Sequence, residues 1–292
     1  MTESPTTLRL LWPQWQGATA ANVVELFPDV PLPDARLAYA MGSRLLAGLL
    51  PPHDGPVAEV PVASDDSGLV LERGIESREV LLAQLRAALG LLDEHRPDRV
   101  MTLGGECSTS VAPFAWLADV HGDDLAVVWL DAHPDVGTPD SEYHGYHAMA
   151  VSLLTGHGDA DFLAALPATV DPSRLALAGL HSWSEDDIGH VAQWGLASFS
   201  PDELRDSTRP LLDWLATTGC TKVALHLDLD VVDADELVLG LGAEPGGLSL
   251  EQAQRVVDDV AAQTELVGLT IAEYIPRQVI RLMGLVRGLP VL

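Results

Sequence analysis

The sequence predicts an α/β protein with a mostly parallel central sheet covered by helices on both faces. Three observations carry this. Short, near-continuous apolar runs recur along the chain, as at residues 125–130 and 223–227, and strands buried on both faces read this way. Longer stretches with a helical period alternate with them. Acidic motifs then follow directly on several of these runs. In such sheets, ligands bind outside the carboxyl ends of the strands.

The elements follow in order. Residues 8–11 read as a first strand. Residues 77–94 place Leu81, Leu82, Leu85, Leu89 and Leu92 on one helical stripe. A strand at 99–103 is followed by a helix at 111–120 and a strand at 125–130. Another helix opens within 148–154, and 175–180 is a strand. Residues 201–217 look helical, with Pro201 in the first turn after Ser200. The strand at 223–227 comes next. Ser249 with Gln252 forms a capping box for a helix to about residue 264. A strand at 266–271 and a short final element at 288–292 complete the chain.

Bulk properties narrow the function. We read residues 1–292 as a single domain, because no Ser/Gly-rich linker, low-complexity tract or internal repeat divides them. A hydrophobic content of 47% is ample for a large core. No apolar run approaches the roughly 20 residues that span a bilayer. The first nine residues lack the basic and apolar regions of a signal peptide. Two cysteines, Cys107 and Cys220, make no disulfide framework, so a cytoplasmic protein is expected. The net charge of −27 argues against nucleic acid, whose phosphates need Lys and Arg. It also disfavours an anionic membrane, and it suits a small cationic molecule.

Two short runs carry the chemistry. One is Trp129-Leu130-Asp131-Ala132-His133-Pro134-Asp135, the other His226-Leu227-Asp228-Leu229-Asp230-Val231-Val232-Asp233. Alternate residues of a strand share a face. Where each strand runs out into a loop, Asp131, His133 and Asp135 can therefore meet Asp228 and Asp230. Carboxylates packed this densely repel unless cations lie between them, and the spacing suits a pair of divalent metals. Hard oxygen donors with few imidazoles favour Mn²⁺.

The pattern resembles the ureohydrolase family of arginases and agmatinases, whose motifs include D-A-H-x-D and D-x-D-x-x-D. Gly104-Gly105-Glu106-Cys107-Ser108 is similar to the family's G-G-D-H-S, and Ala272-Glu273-Tyr274-Ile275-Pro276 to its E-x-N-P segment. The resemblance covers roughly residues 98–277. It implies a three-layer arginase-like fold and two Mn²⁺ ions. It assigns Asp131 and Asp228 as bridging ligands, Asp135 and Cys107 as completing one ion, and His133 and Asp230 as completing the other. Cys107 stands where the family has histidine, as in relatives that hydrolyse N-hydroxyarginine. A thiolate there brings extra negative charge and opens the site to Zn²⁺, Fe²⁺ or Co²⁺. Asp233 lacks the family's following proline and reads as a supporting or turn-capping residue.

The resemblance further implies Glu273 as the guanidinium-binding carboxylate and His147 as the acid that protonates the leaving amine, with His144 as the competitor. Asp135 would help orient the attacking water. The expected reaction is hydrolysis of a small cationic guanidino compound, arginine-like or N-hydroxyarginine-like, to urea or hydroxyurea plus an amine. Agmatine, guanidinobutyrate or formimino substrates remain open, as does a non-catalytic metal-binding relative. So does a metal-free deiminase with Cys107 as nucleophile. Gly137 and Ser184 occupy positions where arginases hold the amino-acid head group, so L-arginine is expected to be a poor substrate. Asp140, Glu142 or the run Glu185, Asp186 and Asp187 would instead take an amine. The family is often trimeric or hexameric, which leaves room for a homo-oligomer.

Overall fold

The computed structural model describes residues 5–290. Its strands are β1 (Thr7–Trp12), β2 (Val57–Glu59), β3 (Leu71–Glu72), β4 (Ile75–Glu76), β5 (Arg99–Gly104), β6 (Leu125–Leu130), β7 (Leu175–Ala178), β8 (Ala197–Phe199), β9 (Lys222–Asp228) and β10 (Glu265–Ala272). Eight of them form one sheet in the order β2-β1-β5-β10-β9-β6-β7-β8, and every pairing in it is parallel. β3 and β4 make a separate antiparallel hairpin.

Both faces of the sheet are buried, as continuous apolar strands require. Val127 and Trp129 of β6 point into one core, which Leu81, Leu85 and Phe114 complete from the helices Arg78–His95 and Val111–His121. Ala126, Val128 and Leu130 point into the other. Leu46, Leu211, Val256 and Leu282 close that side from Ala38–Leu49, Arg209–Thr218, Leu250–Gln263 and Val279–Gly288. The result is a three-layer α/β fold. Among the described residues, no helix is long and apolar enough to cross a membrane.

Several boundaries differ from the sequence reading. The helix expected at 201–217 is two, Pro201–Leu204 and Arg209–Thr218. Residues 205–208 interrupt the helix, and it restarts at Arg209 with Pro210 in the first turn, where a missing backbone N–H costs nothing. The segment at 148–154 opens as a 3₁₀ turn, Tyr146–Met149, before the short helix Ala150–Leu154. Gly288 ends a helix instead of starting a final element, and residues 291–292 of that expected element lie outside the described residues. The edge strands β2 and β8 and the helices Ala20–Leu26, Leu32–Arg36, Ala38–Leu49 and Glu185–Trp194 were not anticipated.

One buried ion pair ties the first layer together. Arg78 opens the helix Arg78–His95 with its side chain 3% exposed. Its Nε and Nη2 donate to the two carboxylate oxygens of Asp159, at 3.2 and 2.7 Å. Asp159 also caps the helix Ala160–Leu163, accepting from Asp161 N and Phe162 N. Burial opposes the charged carboxylate, but Arg78 and those two N–H groups hold its pKa below the usual value. Arg78→Met would leave Asp159 without its partner inside the protein, so the unfolding free energy in urea should fall by about 3 kcal/mol at pH 7. A depressed carboxylate pKa stabilises above the unfolded value and is lost below it. The wild-type and variant should therefore converge as pH drops below about 3.9. Equal unfolding midpoints at pH 7 would show that the pair contributes nothing.

Candidate active site

The four motif-bearing strands, scattered in sequence, are the four central neighbours of the sheet, β5-β10-β9-β6. Their carboxyl ends open into one cleft of about 650 Å³. Cys107, Asp135, Asp228 and Glu273 line its buried floor. Gly105 lets the turn after β5 pack against the chain following β1, because a β-carbon there would run into the carbonyl oxygen of Gln14. Next to it, Glu106 is fully buried and accepts from Gln14 Nε2, Ser108 N and Ser108 Oγ. Burial still pushes its pKa up to about 7.

The acids are held by local backbone geometry. Asp131 Oδ1 accepts from His133 N at 2.7 Å, and its Oδ2 accepts from Trp129 Nε1 at 3.0 Å. Asp228 Oδ1 accepts from Asp230 N at 2.8 Å. Asp230 Oδ2 lies 3.2 Å from His133 Nδ1. Cys107 Sγ lies 2.9 Å from Asp228 Oδ2 and 3.4 Å from Glu273 Oε1. Asp135 Oδ2 is buried with no hydrogen-bond partner. Three groups of donors gather closely enough for one ion each: Cys107, Asp131, His226 and Asp228; Asp131, His133 and Asp230; and Cys107, His147 and Glu273.

The electrostatics follow. Burial, then neighbouring carboxylates, push the pKa values of Asp131, Asp135 and Asp228 up. Burial and Asp228 push the Cys107 thiol up too, which argues against a free thiolate acting as a nucleophile. Asp230 is the exception: burial works against its charge, but His133 outweighs it and holds the pKa low. Burial likewise opposes the charged forms of His133 and His147. Asp230 prevails at the first, Tyr143 and Glu273 at the second, and both pKa values are raised.

His147 lies across the same cleft, with Nδ1 3.4 Å from Glu273 Oε1 and Nε2 2.7 Å from the Tyr143 hydroxyl. His144 turns away, its Nδ1 3.1 Å from the carbonyl oxygen of Gly74. Asp135 and Glu273 both have positive φ, 49° and 63°. For residues with a β-carbon that conformation costs on the order of 1–3 kcal/mol, and such strain gathers at functional sites. Asp233 caps a turn, accepting from Asp235 N and Gly246 N. Glu142, Glu185, Asp186 and Asp187 stand on the rim of the cleft, whereas Asp140 does not line it.

Among the polar residues that the sequence reading does not single out are Tyr39, Tyr143 and Glu244, which line the cleft, and the buried His226 below its floor. Glu244 lies 3.7 Å from His133 Nε2. The i, i+4 spacing of Tyr143 and His147 carries no helical signal, because the segment between them is an irregular turn. Only His226 had a legible cue, sharing a strand face with Asp228.

Comparison with known proteins agrees with this arrangement. The arginase family model matches residues 55–281. An arginase from Entamoeba histolytica is 22% identical over 224 residues, covering 74% of this chain and 75% of that protein. The arginase of Bacillus subtilis is 29% identical over 168 residues, covering 54% of this chain and 55% of the relative. The crystal structure of the Entamoeba histolytica arginase in complex with L-ornithine superposes with a TM-score of 0.80 at 15% identity, covering 97% of each chain. At that identity the likeness is one of fold. With the family match over most of its length, the chain belongs to the arginase family, hydrolases that act on C–N bonds.

Proposed function

We propose that this chain hydrolyses the amidino C–N bond of a small cationic guanidino compound, giving urea or a substituted urea and an amine. The observation that carries this reading is the set of buried carboxylates facing the His147–Glu273 pair across one cleft. The donor set fits two divalent cations, Mn²⁺ by its oxygen content. Asp131, Asp135 and Asp228 would otherwise be buried charges without counter-ions, and the partnerless Asp135 Oδ2 needs a positive neighbour. Asp131 is common to two of the donor groups, one with Cys107, His226 and Asp228 and the other with His133 and Asp230, whereas Asp135 belongs to neither and stands beside them on the cleft floor. When bound, the cations supply Lewis acidity that makes water a competent nucleophile near neutral pH.

The protein's own groups do the rest. Glu273 is fixed through Oε1 by the N–H of Cys107 at 3.2 Å, so its carboxylate is oriented before substrate arrives. A carboxylate so placed pairs with a planar guanidinium and sets its carbon over the acidic floor. His147, held between Glu273 and the Tyr143 hydroxyl, carries the proton that the leaving nitrogen must gain when the C–N bond breaks. Adding water to the guanidinium and moving that proton leaves urea and a protonated amine, so atoms and charge balance.

The rim bears on the substrate's far end. Glu142, Glu185 and Asp186 are exposed there, and no Lys or Arg lines the cleft among the described residues. A substrate tail bearing a carboxylate would be repelled, whereas an amine or neutral tail would not. This favours an agmatine-like or other decarboxylated guanidine over L-arginine.

Purified protein should contain about two divalent ions per chain, and Asp228→Ala should lose both; unchanged metal content by elemental analysis in that variant would remove Asp228 from the site. His147→Ala should keep its metal while kcat for urea release falls by roughly 10²–10⁴-fold; a loss of less than about tenfold would mean another group delivers the proton. Glu185→Gln with Asp186→Asn should raise KM for an amine-tailed guanidine a few-fold with kcat unchanged, each exposed charge being worth about 0.2–1 kcal/mol. L-arginine turned over as well as its decarboxylated analogue would refute the rim's role.

A further inference from the structure

His226 sits directly beneath the acidic cluster, on β9, two residues before Asp228 and on the same face of the strand. It is fully buried and lies flat against Trp129, with ring centroids 3.7 Å apart and planes 8° from parallel. Its Nδ1 is 2.7 Å from Ser110 Oγ. Its Nε2 is buried without a hydrogen-bond partner. A buried ring nitrogen left unpaired is costly unless something in the functional state engages it.

Where Nε2 points gives the reason. Asp131 Oδ2 is 3.7 Å away, too far for a hydrogen bond. Two donors on one tetrahedral ion, each about 2.1 Å from it, lie roughly 3.4 Å apart. The separation therefore suits two ligands sharing a cation better than a donor and its acceptor. Cys107 Sγ and Asp228 lie within the same close group as Asp131 and His226. Ser110 accepting from Nδ1–H would leave the Nε2 lone pair facing the cluster, as supporting contacts do for metal-binding histidines.

We infer that His226 is a metal ligand through Nε2, so that one ion of the pair is held by Cys107, Asp131, His226 and Asp228. This rests on the binuclear reading above and changes its chemistry. Sulfur and imidazole together make that position softer than its neighbour, so it prefers Zn²⁺ or Co²⁺ to Mn²⁺, and the two positions differ in metal preference. The thiolate at residue 107 is then accompanied by an imidazole reaching the same ion from below.

X-ray absorption on the full chain loaded with Co²⁺ tests this. Two imidazoles per two ions are expected in the wild-type, from His133 and His226, and one fewer in His226→Phe, which keeps a ring against Trp129. His226→Phe should also weaken the tighter Co²⁺ by at least about 10–100-fold. Should that variant misfold, the wild-type scattering and a His226→Gln variant carry the same comparison. Weaker metal with an unchanged imidazole count would make His226 a supporting residue and overturn the inference, as would unchanged affinity. A wild-type chain that takes up no divalent ion at all would instead refute the binuclear site itself.

Discussion

Mutual repulsion among buried carboxylates is the constraint around which this molecule is organised. Asp131, Asp135, Asp228 and Asp230 are all buried at the mouths of adjacent strands. Isolated charges do not survive in such surroundings without compensation. The fold offsets part of the cost locally, because Asp131 and Asp228 each spend an oxygen on the N–H two residues ahead. Those bonds fix the carboxylates but do not neutralise them, and burial with the neighbouring carboxylates keeps the pKa values of Asp131, Asp135 and Asp228 raised. The left-handed backbone at Asp135 and Glu273 adds to the cost. A structure that accepts both repulsion and strain at one spot is arranged for a cationic partner.

Acid plays two separate parts. At depth, it is buried, with Asp131 and Asp228 held by the N–H groups two residues ahead while Asp135 Oδ2 has no partner. On the rim, Glu142, Glu185 and Asp186 are exposed, and screening by salt weakens charges so placed. The bulk charge of −27 reports neither part by itself.

The centre of the fold was legible and its margins were not. β5, β6, β9 and β10 are apolar on both faces, so each announced itself as an uninterrupted run followed by a motif, and the order of motifs gave the acid set. β2 and β8 are short edge strands with one exposed flank, and three residues carry too little pattern to separate them from loop. The helix Glu185–Trp194 has few apolar positions, yet Ser184 and Asp187 form a capping box that was there to be read. Asp140 and Glu142 show the limit of spacing arguments: two residues apart in a loop, only one reaches the cleft. Tyr143 was invisible for the same reason, since its partnership with His147 depends on an irregular turn. His144 and His147 could be ranked in sequence by their neighbours, but only the fold shows one facing Glu273 and the other facing Gly74.

The sheet order has a consequence for how such a chain is made. β10, the last strand of the sheet in sequence, lies between β5 and β9. Until it arrives, the other strands form two separate groups, β2-β1-β5 and β9-β6-β7-β8, each with an unpaired inner edge. A growing chain must therefore carry two open strand edges through most of its synthesis, and these invite wrong pairing. Glu273 immediately follows β10, so the carboxylate proposed to hold the substrate enters with the strand that closes the sheet. Partly synthesised chains would hold some of the acids but not Glu273, and the floor of the cleft is complete only after the last insertion.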